Sequence, residues 1–415
     1  MIIDSQQYNG LCSCGKEHKM ETELAIVESG CLKNVSEYMA KYGIKGNTVA
    51  VYDENTYRAT KGKHPSVDKE IILDPTDLHA NERGVETLMA HLPQNVEVLI
   101  AIGSGTIHDL TRYCAYTIGA KFVSCPTAAS VDGFCSSVAA MTWNGCKKTL
   151  TAVAPTLVVA DTDVFMNAPV CLTRAGFGDM IGKYIALTDW RIAQLLTNEF
   201  YCDRIARLTL NATTAVLESV EGMMRGEKDA YERLMYGLLL SGLAMQMMGN
   251  SRPASGAEHH ISHLIEMSPT GLGIHSDALH GEKVGVGTLL ALEEYKRLAA
   301  QKNVLFMNYQ PFDEQDVIAV FGSDTAQEIL KENEYDAAGG VTSLMLESRW
   351  VEICKLIEAL PDAEELKEVY LRFGVKSHLA QIEVNEDLSQ VLLDRSPMVR
   401  NRLTLMRLRR AITEK

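Results

Sequence analysis

Hydrophobic residues follow two different patterns along this chain. Up to about residue 165 they come as short continuous runs: Thr48–Tyr52 ending at Asp53, Val96–Ile102 ending at Gly103, Lys121–Ser124 ending at Cys125-Pro126, and Thr156–Ala160 ending at Asp161. Continuous apolar runs separated by helix-like segments predict parallel strands covered on both faces, and ligands of such sheets gather at the carboxyl ends of the strands. Beyond Asn167 strand-like runs become scarce. Apolar residues then recur at helical spacing over Ala186–Phe200, Ile205–Arg225, Tyr231–Met248, Glu293–Gln301 and Val341–Leu360. The pattern predicts an α/β Rossmann-like domain over residues 1–165 and an all-α domain over residues 166–415, with the active site in the cleft between them. No repeat or low-complexity tract interrupts it.

Composition narrows the class. With 415 residues, 46% hydrophobic and 23% charged, the chain is long enough for two domains with sizeable cores, and disordered, collagenous and small disulfide-framework classes are excluded. Forty basic against 54 acidic side chains give a formal charge of −14. That field repels phosphate, so no nucleic acid or anionic membrane surface is expected as a partner. Leu234–Ser251 carries no formal charge over 18 residues, but its glycines and amides predict a buried helix and no membrane insertion. The N-terminus shows no basic segment followed by an apolar one, so the protein is expected in the cytoplasm.

Cysteines are then read as thiols, with Cys114, Cys125, Cys135, Cys146 and Cys171 expected in the interior. Cys12-Ser13-Cys14-Gly15 with His18 nearby is half of a metal or redox pattern. No second half follows at zinc-finger spacing, so it reads as a turn carrying two thiols. The arginines of the C-terminal segment, Arg395, Arg400, Arg402, Arg407, Arg409 and Arg410, alternate with apolar residues and predict an amphipathic helix with a solvated basic side.

Two segments following strands have the chemistry of a dinucleotide site. Gly103-Ser104-Gly105-Thr106 opens a helix at Ile107-His108-Asp109; glycines there let a backbone approach a pyrophosphate, and the helix N-terminus offers N–H groups and a positive dipole end. His108 stands where a full G-x-G-x-x-G fingerprint has its third glycine. Asp53, at the end of an earlier strand, reads equally as an acceptor for ribose hydroxyls, which favours NAD over NADP, and as a turn former. The small residues from Pro126 to Ser136 can lie flat against a cofactor, with Asp132 able to accept hydrogen bonds from a polyol; the plain alternative is a surface loop.

Three helical-half segments carry donors for a metal. Asp179 is a lone acid in Gly176-Phe177-Gly178-Asp179-Met180-Ile181-Gly182-Lys183. His259 and His263, four apart, share one helix face. His280 stands at the mouth of a glycine-spaced apolar helix. One carboxylate and two imidazoles leave positions open for substrate, the pattern of a catalytic divalent ion. The plain reading makes each a satisfied core or surface residue, and the spacing matches no standard zinc motif.

The ordered set Gly103-Ser104-Gly105-Thr106-Ile107-His108-Asp109, Pro126-Thr127-Ala128-Ala129-Ser130-Val131-Asp132-Gly133, Gly176-Phe177-Gly178-Asp179, Ser255-Gly256-Ala257-Glu258-His259 and His280-Gly281-Glu282-Lys283-Val284 resembles the bacterial glycerol-1-phosphate dehydrogenases. These share a fold with dehydroquinate synthase, glycerol dehydrogenase and the iron-type alcohol dehydrogenases. The resemblance implies a metal, zinc or nickel, on Asp179, His259 and His280, with His275 a rival to His280. It implies NAD(P) at Gly105–Asp109, Thr127, Ala128, Ala129, Ser130 and Ser136, and substrate contacts from Asp132, Asp179 and His263. The implied reaction is reversible reduction of dihydroxyacetone phosphate to sn-glycerol 1-phosphate, feeding glycerophospholipid-type synthesis, with the metal polarising the carbonyl and His263 holding substrate or relaying a proton. Lys183 and Arg252 are candidates for the phosphate, and a homodimer is expected. The alternatives are a polyol dehydrogenase for unphosphorylated substrate, an inactive dinucleotide-binding sensor, and a dehydroquinate synthase, whose dense set of substrate-binding cations is not found.

Overall fold

The computed structural model describes residues 1–143 and 146–414. The chain packs as two compact units: Met1–Gly176 with Thr214–Asn250, and Phe177–Thr213 with Ser251–Lys415.

The first unit is built on a seven-stranded sheet. Its strands in chain order are β1 (Ile2–Asp4), β2 (Leu24–Glu28), β3 (Thr48–Asp53), β4 (Lys69–Leu73), β5 (Val98–Gly103), β6 (Lys121–Pro126) and β7 (Leu157–Asp161), and their spatial order is β1-β2-β7-β6-β5-β3-β4. Every neighbouring pair is parallel except β1 against β2. The alternation within each strand explains why it sits in the middle of a layered structure. Val98, Ile100 and Ile102 join one core layer with Ala50 and Tyr52, whereas Leu99 and Ala101 join the opposite layer with Val49, Val51 and Phe122. All six residues of β5 are buried, so a polar substitution on either face meets apolar packing. Each of its Val, Leu and Ile side chains contributes roughly 1.5–3 kcal/mol of burial.

Three strands escape the sequence pattern. β1 is a three-residue edge and β4, the other edge, begins Lys69-Glu70 with both side chains exposed, while β2 is an interior strand of five residues with residues 24–27 buried. Short or half-solvated edge strands lack the long apolar run that marks central ones.

Strand order also places the ligand-binding crevice. From β3 the chain moves outward to β4, then returns to β5 on the other side of β3. The segment after β3 sends Tyr57 onto one core layer, and the helix after β5, α1 (Gly105–Ile118), sends Ile107 and Leu110 onto the other. The connections diverge there, and the carboxyl ends of β3 and β5 bracket a topological switch point. Asp53 and Gly103 are those two ends.

The second unit is mainly helical. Its site-bearing helices are the C-terminal part of α2 (Val170–Ile181), then α3 (Lys183–Thr197), α4 (Ala257–Glu266) and α5 (His280–Ala299). Of the apolar Leu234–Ser251 segment, residues 234–248 fall in the helix Lys228–Met248 of the first unit. Among the described residues no helix is long and apolar enough to cross a membrane.

Candidate active site

In the first unit the glycine turn and the small-residue loop meet. The Thr127 N–H donates to Gly103 O at 2.9 Å, and the hydroxyls of Ser104 and Ser130 are 2.9 Å apart. Ser104 occupies the N-cap of α1 without capping it through its side chain, so the first amides of that helix are left for other acceptors. A Cβ on Gly103 would strike Ile107 at 2.6 Å, whereas one on Gly105 would meet nothing within 4 Å. The first glycine is therefore needed for the corner, and the second faces open space, as a cradle for a diphosphate requires.

The other residues of that set divide by role. His108 is buried, with Nδ1 donating to Ser104 O at 2.9 Å and Nε2 accepting from Ser124 Oγ at 2.8 Å. Burial, with the Arg112 charge beside it, pushes this imidazole down to about 3, so it is a neutral brace for the turn. Asp53 accepts from the Thr56 N–H at 2.8 Å in a capping box, which realises the turn-forming half of its sequence reading. Ser136 closes on Val138, donating to its carbonyl and accepting from its N–H. Arg112 escapes the sequence reading. From the buried face of α1 it donates to the carbonyls of Phe134, Ser136 and Val138, which clamps the loop below Asp132. Asp132 is itself buried and accepts from Ser241 Oγ at 2.8 Å.

In the second unit Asp179, His259 and His280 converge, their ligand atoms all within 4.8 Å of one another. The His259 and His280 rings are 5.4 Å apart between centroids. His259 Nδ1 donates to Glu258 Oε1 at 2.7 Å, and His280 Nδ1 donates to Glu266 Oε1 at 2.8 Å. Each carboxylate fixes its imidazole in the tautomer whose Nε2 carries a lone pair. His259 Nε2 lies 3.6 Å from Asp179 Oδ1, too long for a hydrogen bond and suited to two donors sharing an ion. Oriented imidazoles beside a buried carboxylate are the donor chemistry a divalent metal requires. His263 borders the cluster, its ring 5.8 Å from His259 and 6.0 Å from His280. His275 stands exposed beside Asp277 and does not join, so His280 is the third member.

Glycines bring these elements together. A Cβ on Gly178 would lie 2.4 Å from Gly281 O, and one on Gly287 would lie 2.7 Å from Glu258 O. Backbone contact at those points is what allows α2, α4 and α5 to place one donor each into one small volume. Asp189 is a further residue the sequence reading passes over: it accepts from the N–H groups of Ala257 and Leu405 and from Tyr295 Oη, tying down the start of α4.

Comparisons with known proteins identify the family. Residues 26–169 match the family model described as iron-containing alcohol dehydrogenase. A glycerol-1-phosphate dehydrogenase [NAD(P)+] of Bacillus licheniformis is 33% identical, covering 95% of this chain and 90% of that protein. One from Halalkalibacterium halodurans is 31% identical, covering 95% and 94%. This chain belongs to the glycerol-1-phosphate dehydrogenase family, within the iron-type alcohol dehydrogenase superfamily. Among solved structures, a probable glycerol dehydrogenase from Sinorhizobium meliloti covers 93% of this chain, and this chain covers 91% of it, at TM-score 0.60 and 17% identity, a likeness of fold.

Against that family frame, several sequence expectations are corrected. Lys183 is fully buried; its Nζ donates to Asp179 Oδ1 at 2.7 Å and to Ala254 O at 3.1 Å. Arg252 is 2% exposed and bound to Glu199 and to the carbonyls of Asp189 and Leu403. Neither offers its charge to a solvent-borne phosphate: Lys183 lies on the buried face of α3, and Arg252 lies in the turn before α4, folded inward onto its partners. Burial opposes ionisation of Asp179, but the Lys183 ammonium and then the His259 and His280 imidazoles outweigh it and hold the carboxyl well below the usual range.

The C-terminal arginines also do not form a solvated helix face. Arg407 is buried against Asp336 and the carbonyls of Pro397 and Arg400, and Arg402 donates to Ser255 O. Arg395 ends the helix Ser389–Arg395, and from Arg400 to Arg410 only Leu405–Leu408 is α-helical, so the arginines stitch loops together. Cys114, Cys125 and Cys135 are buried as expected, Cys171 is exposed on the first turn of α2, and the side chain of Cys146 lies outside the described residues.

Proposed function

We propose that this chain catalyses the reversible NAD(P)H-linked reduction of dihydroxyacetone phosphate to sn-glycerol 1-phosphate. The observation that carries the proposal is the convergence of Asp179 with two imidazoles, each held by its own carboxylate. Relatives that bear the name glycerol-1-phosphate dehydrogenase over nearly their whole length support it.

In this reading Asp179, His259 and His280 hold one divalent ion, while Glu258 and Glu266 keep the imidazoles aimed. When bound, the ion supplies Lewis-acid polarisation of the ketone and the nicotinamide supplies hydride. The chain's own residues do the rest. The N-terminal amides of α1, with Ser104, Thr127 and Ser130, hold the dinucleotide diphosphate. Asp132 accepts a hydrogen bond from a substrate hydroxyl. His263 relays the proton that the C2 oxygen takes as it becomes a hydroxyl. A nitrogen and oxygen donor set suits nickel as well as zinc. The protein is read as a cytoplasmic homodimer; Cys31, Cys114, Cys125 and Cys135, all unbridged, support a reducing compartment, and light scattering on the purified protein tests the dimer.

The deciding experiment is an NADH and NADPH oxidation assay on chelator-treated protein reloaded with nickel or zinc. Turnover of dihydroxyacetone phosphate should vanish on chelation and return with the ion. It should exceed that of dihydroxyacetone by about 100-fold or more in kcat/KM, the effect of one or two charge-assisted hydrogen bonds to a phosphate. Preference for the unphosphorylated ketone would assign a polyol dehydrogenase instead.

A second expectation concerns Glu266, which no sequence motif marks. Glu266→Ala should weaken metal affinity about 10–100-fold, because it removes the acceptor that orients His280. Competition titration against a chelating dye reads this directly; unchanged affinity would make the Glu266–His280 bond incidental.

A further inference from the structure

A second cluster of metal donors lies in the first unit. Gly10–Leu11 and Glu17–His18 pair as a short antiparallel hairpin, with Gly10 opposite His18 and Leu11 opposite Glu17. Its turn is closed by the Cys12 N–H donating to Lys16 O and the Gly15 N–H donating to Cys12 O, both at 2.9 Å. Gly15 has φ +85°, the left-handed conformation that lets the chain reverse directly after Cys14. The reversal brings back what the sequence spreads over seven residues: the donor atoms of Cys12, Cys14 and His18 lie within 4.8 Å of one another.

Two features mark this as more than a turn with two thiols. The first is orientation of the imidazole. His18 is buried, and its Nδ1 donates to Met247 O at 2.9 Å. That bond fixes the tautomer whose Nε2 carries a lone pair, and Nε2 stands 3.3 Å from Cys14 Sγ. A backbone carbonyl holding the distal ring nitrogen is the support that metal-binding histidines receive. The second is spacing. Zinc bonds of about 2.3 Å to sulfur and 2.0 Å to nitrogen put the two ligands roughly 3.5 Å apart on a tetrahedron, close to the separation observed. The segment is anchored as well, since the Glu21 and Thr22 N–H groups both donate to Gln246 Oε1.

We propose that Cys12, Cys14 and His18 form a structural site for a soft divalent ion, zinc in the first instance, separate from the Asp179 cluster. Binding displaces one proton from each thiol to solvent and forms two metal–thiolate bonds and one metal–imidazole bond, with no change of oxidation state. The ion pins the N-terminal hairpin to the carbonyl end of the helix Lys228–Met248 through His18 and Met247. The inference is independent of the reaction assigned above.

Cobalt(II) tests it with a readout the Asp179 cluster cannot give, because that cluster contains no sulfur. The reduced, chelator-stripped full chain should develop a near-ultraviolet thiolate-to-cobalt band that saturates at one ion. Cys12→Ser with Cys14→Ser should lose the band and one of the bound zinc ions by elemental analysis, while keeping ketone reduction. Absence of the band in the wild-type chain, or its persistence in the double variant, overturns the site. So does a mass two hydrogens light at Cys12 and Cys14 with no ion taken up after reduction, which would make the pair a disulfide switch. If the double variant fails to fold, the wild-type chain still decides. Zinc should protect both Cys12 and Cys14 from alkylation, mapped by mass spectrometry, and chelation should restore their reactivity; equal labelling with and without zinc rejects the proposal.

Discussion

Replacing His259 with alanine should lower kcat/KM for dihydroxyacetone phosphate by about 1,000-fold or more and leave dinucleotide affinity within about twofold. His259 is one of three donors within 4.8 Å, and its distal nitrogen is already committed to Glu258. Removing it takes one ligand from the proposed ion and leaves the Glu258 carboxylate buried without that partner. Electrophilic stabilisation of the reacting oxygen is worth several kcal/mol, and about 4 kcal/mol corresponds to 1,000-fold in rate. The residues assigned to the dinucleotide, from Gly103 to Asp109 and Thr127 to Ser130, belong to the other compact unit and bond among themselves. Fluorescence titration with NADH beside steady-state kinetics separates the two effects. Parallel loss of both would make His259 a structural residue and withdraw the metal assignment.

Lys183→Met should destabilise the metal-free protein by about 3–5 kcal/mol, the usual cost of removing one partner from a buried ion pair. Lys183 and Asp179 are both fully buried and 2.7 Å apart. Without the ammonium, Asp179 must remain ionised in an apolar setting or take up a proton. The same substitution removes a positive charge from the neighbourhood of the proposed ion. Nickel or zinc should therefore raise the melting temperature of the variant by more than it raises that of the wild type. Calorimetry with and without chelator measures both quantities. An unchanged melting temperature in chelator would show that the pair carries little stability, and equal metal-induced shifts would show that Lys183 does not oppose the ion.

Legibility from sequence varied by element for physical reasons. The central strands were readable because a strand buried on both faces must be apolar at every position, as β5 is. The edge strands were not, since one side faces solvent and charged residues such as Lys69 and Glu70 are tolerated. His259 and His263 were readable as a pair because four residues is one helical turn. Glu266 continues the same face three residues later, but a lone glutamate on a helix is ordinary, and only its bond to His280 gives it meaning. The cations assigned to phosphate failed because charge in a sequence does not disclose its partner: Lys183 is answered by Asp179 one turn earlier, and Arg252 by Glu199.

By itself the sequence determined the layered sheet, the helical second half and the glycine turn after β5, because each rests on periodicity or on residue chemistry that local spacing preserves, and it singled out Asp179, His259 and His280 as candidate donors with His275 still a rival. Tertiary structure alone decided which histidine joins Asp179, which carboxylates aim the imidazoles, and that Cys12, Cys14 and His18 form a cluster. Those facts depend on distances between segments far apart in the chain, or on a left-handed reversal at one glycine, and neither is encoded in spacing along the sequence.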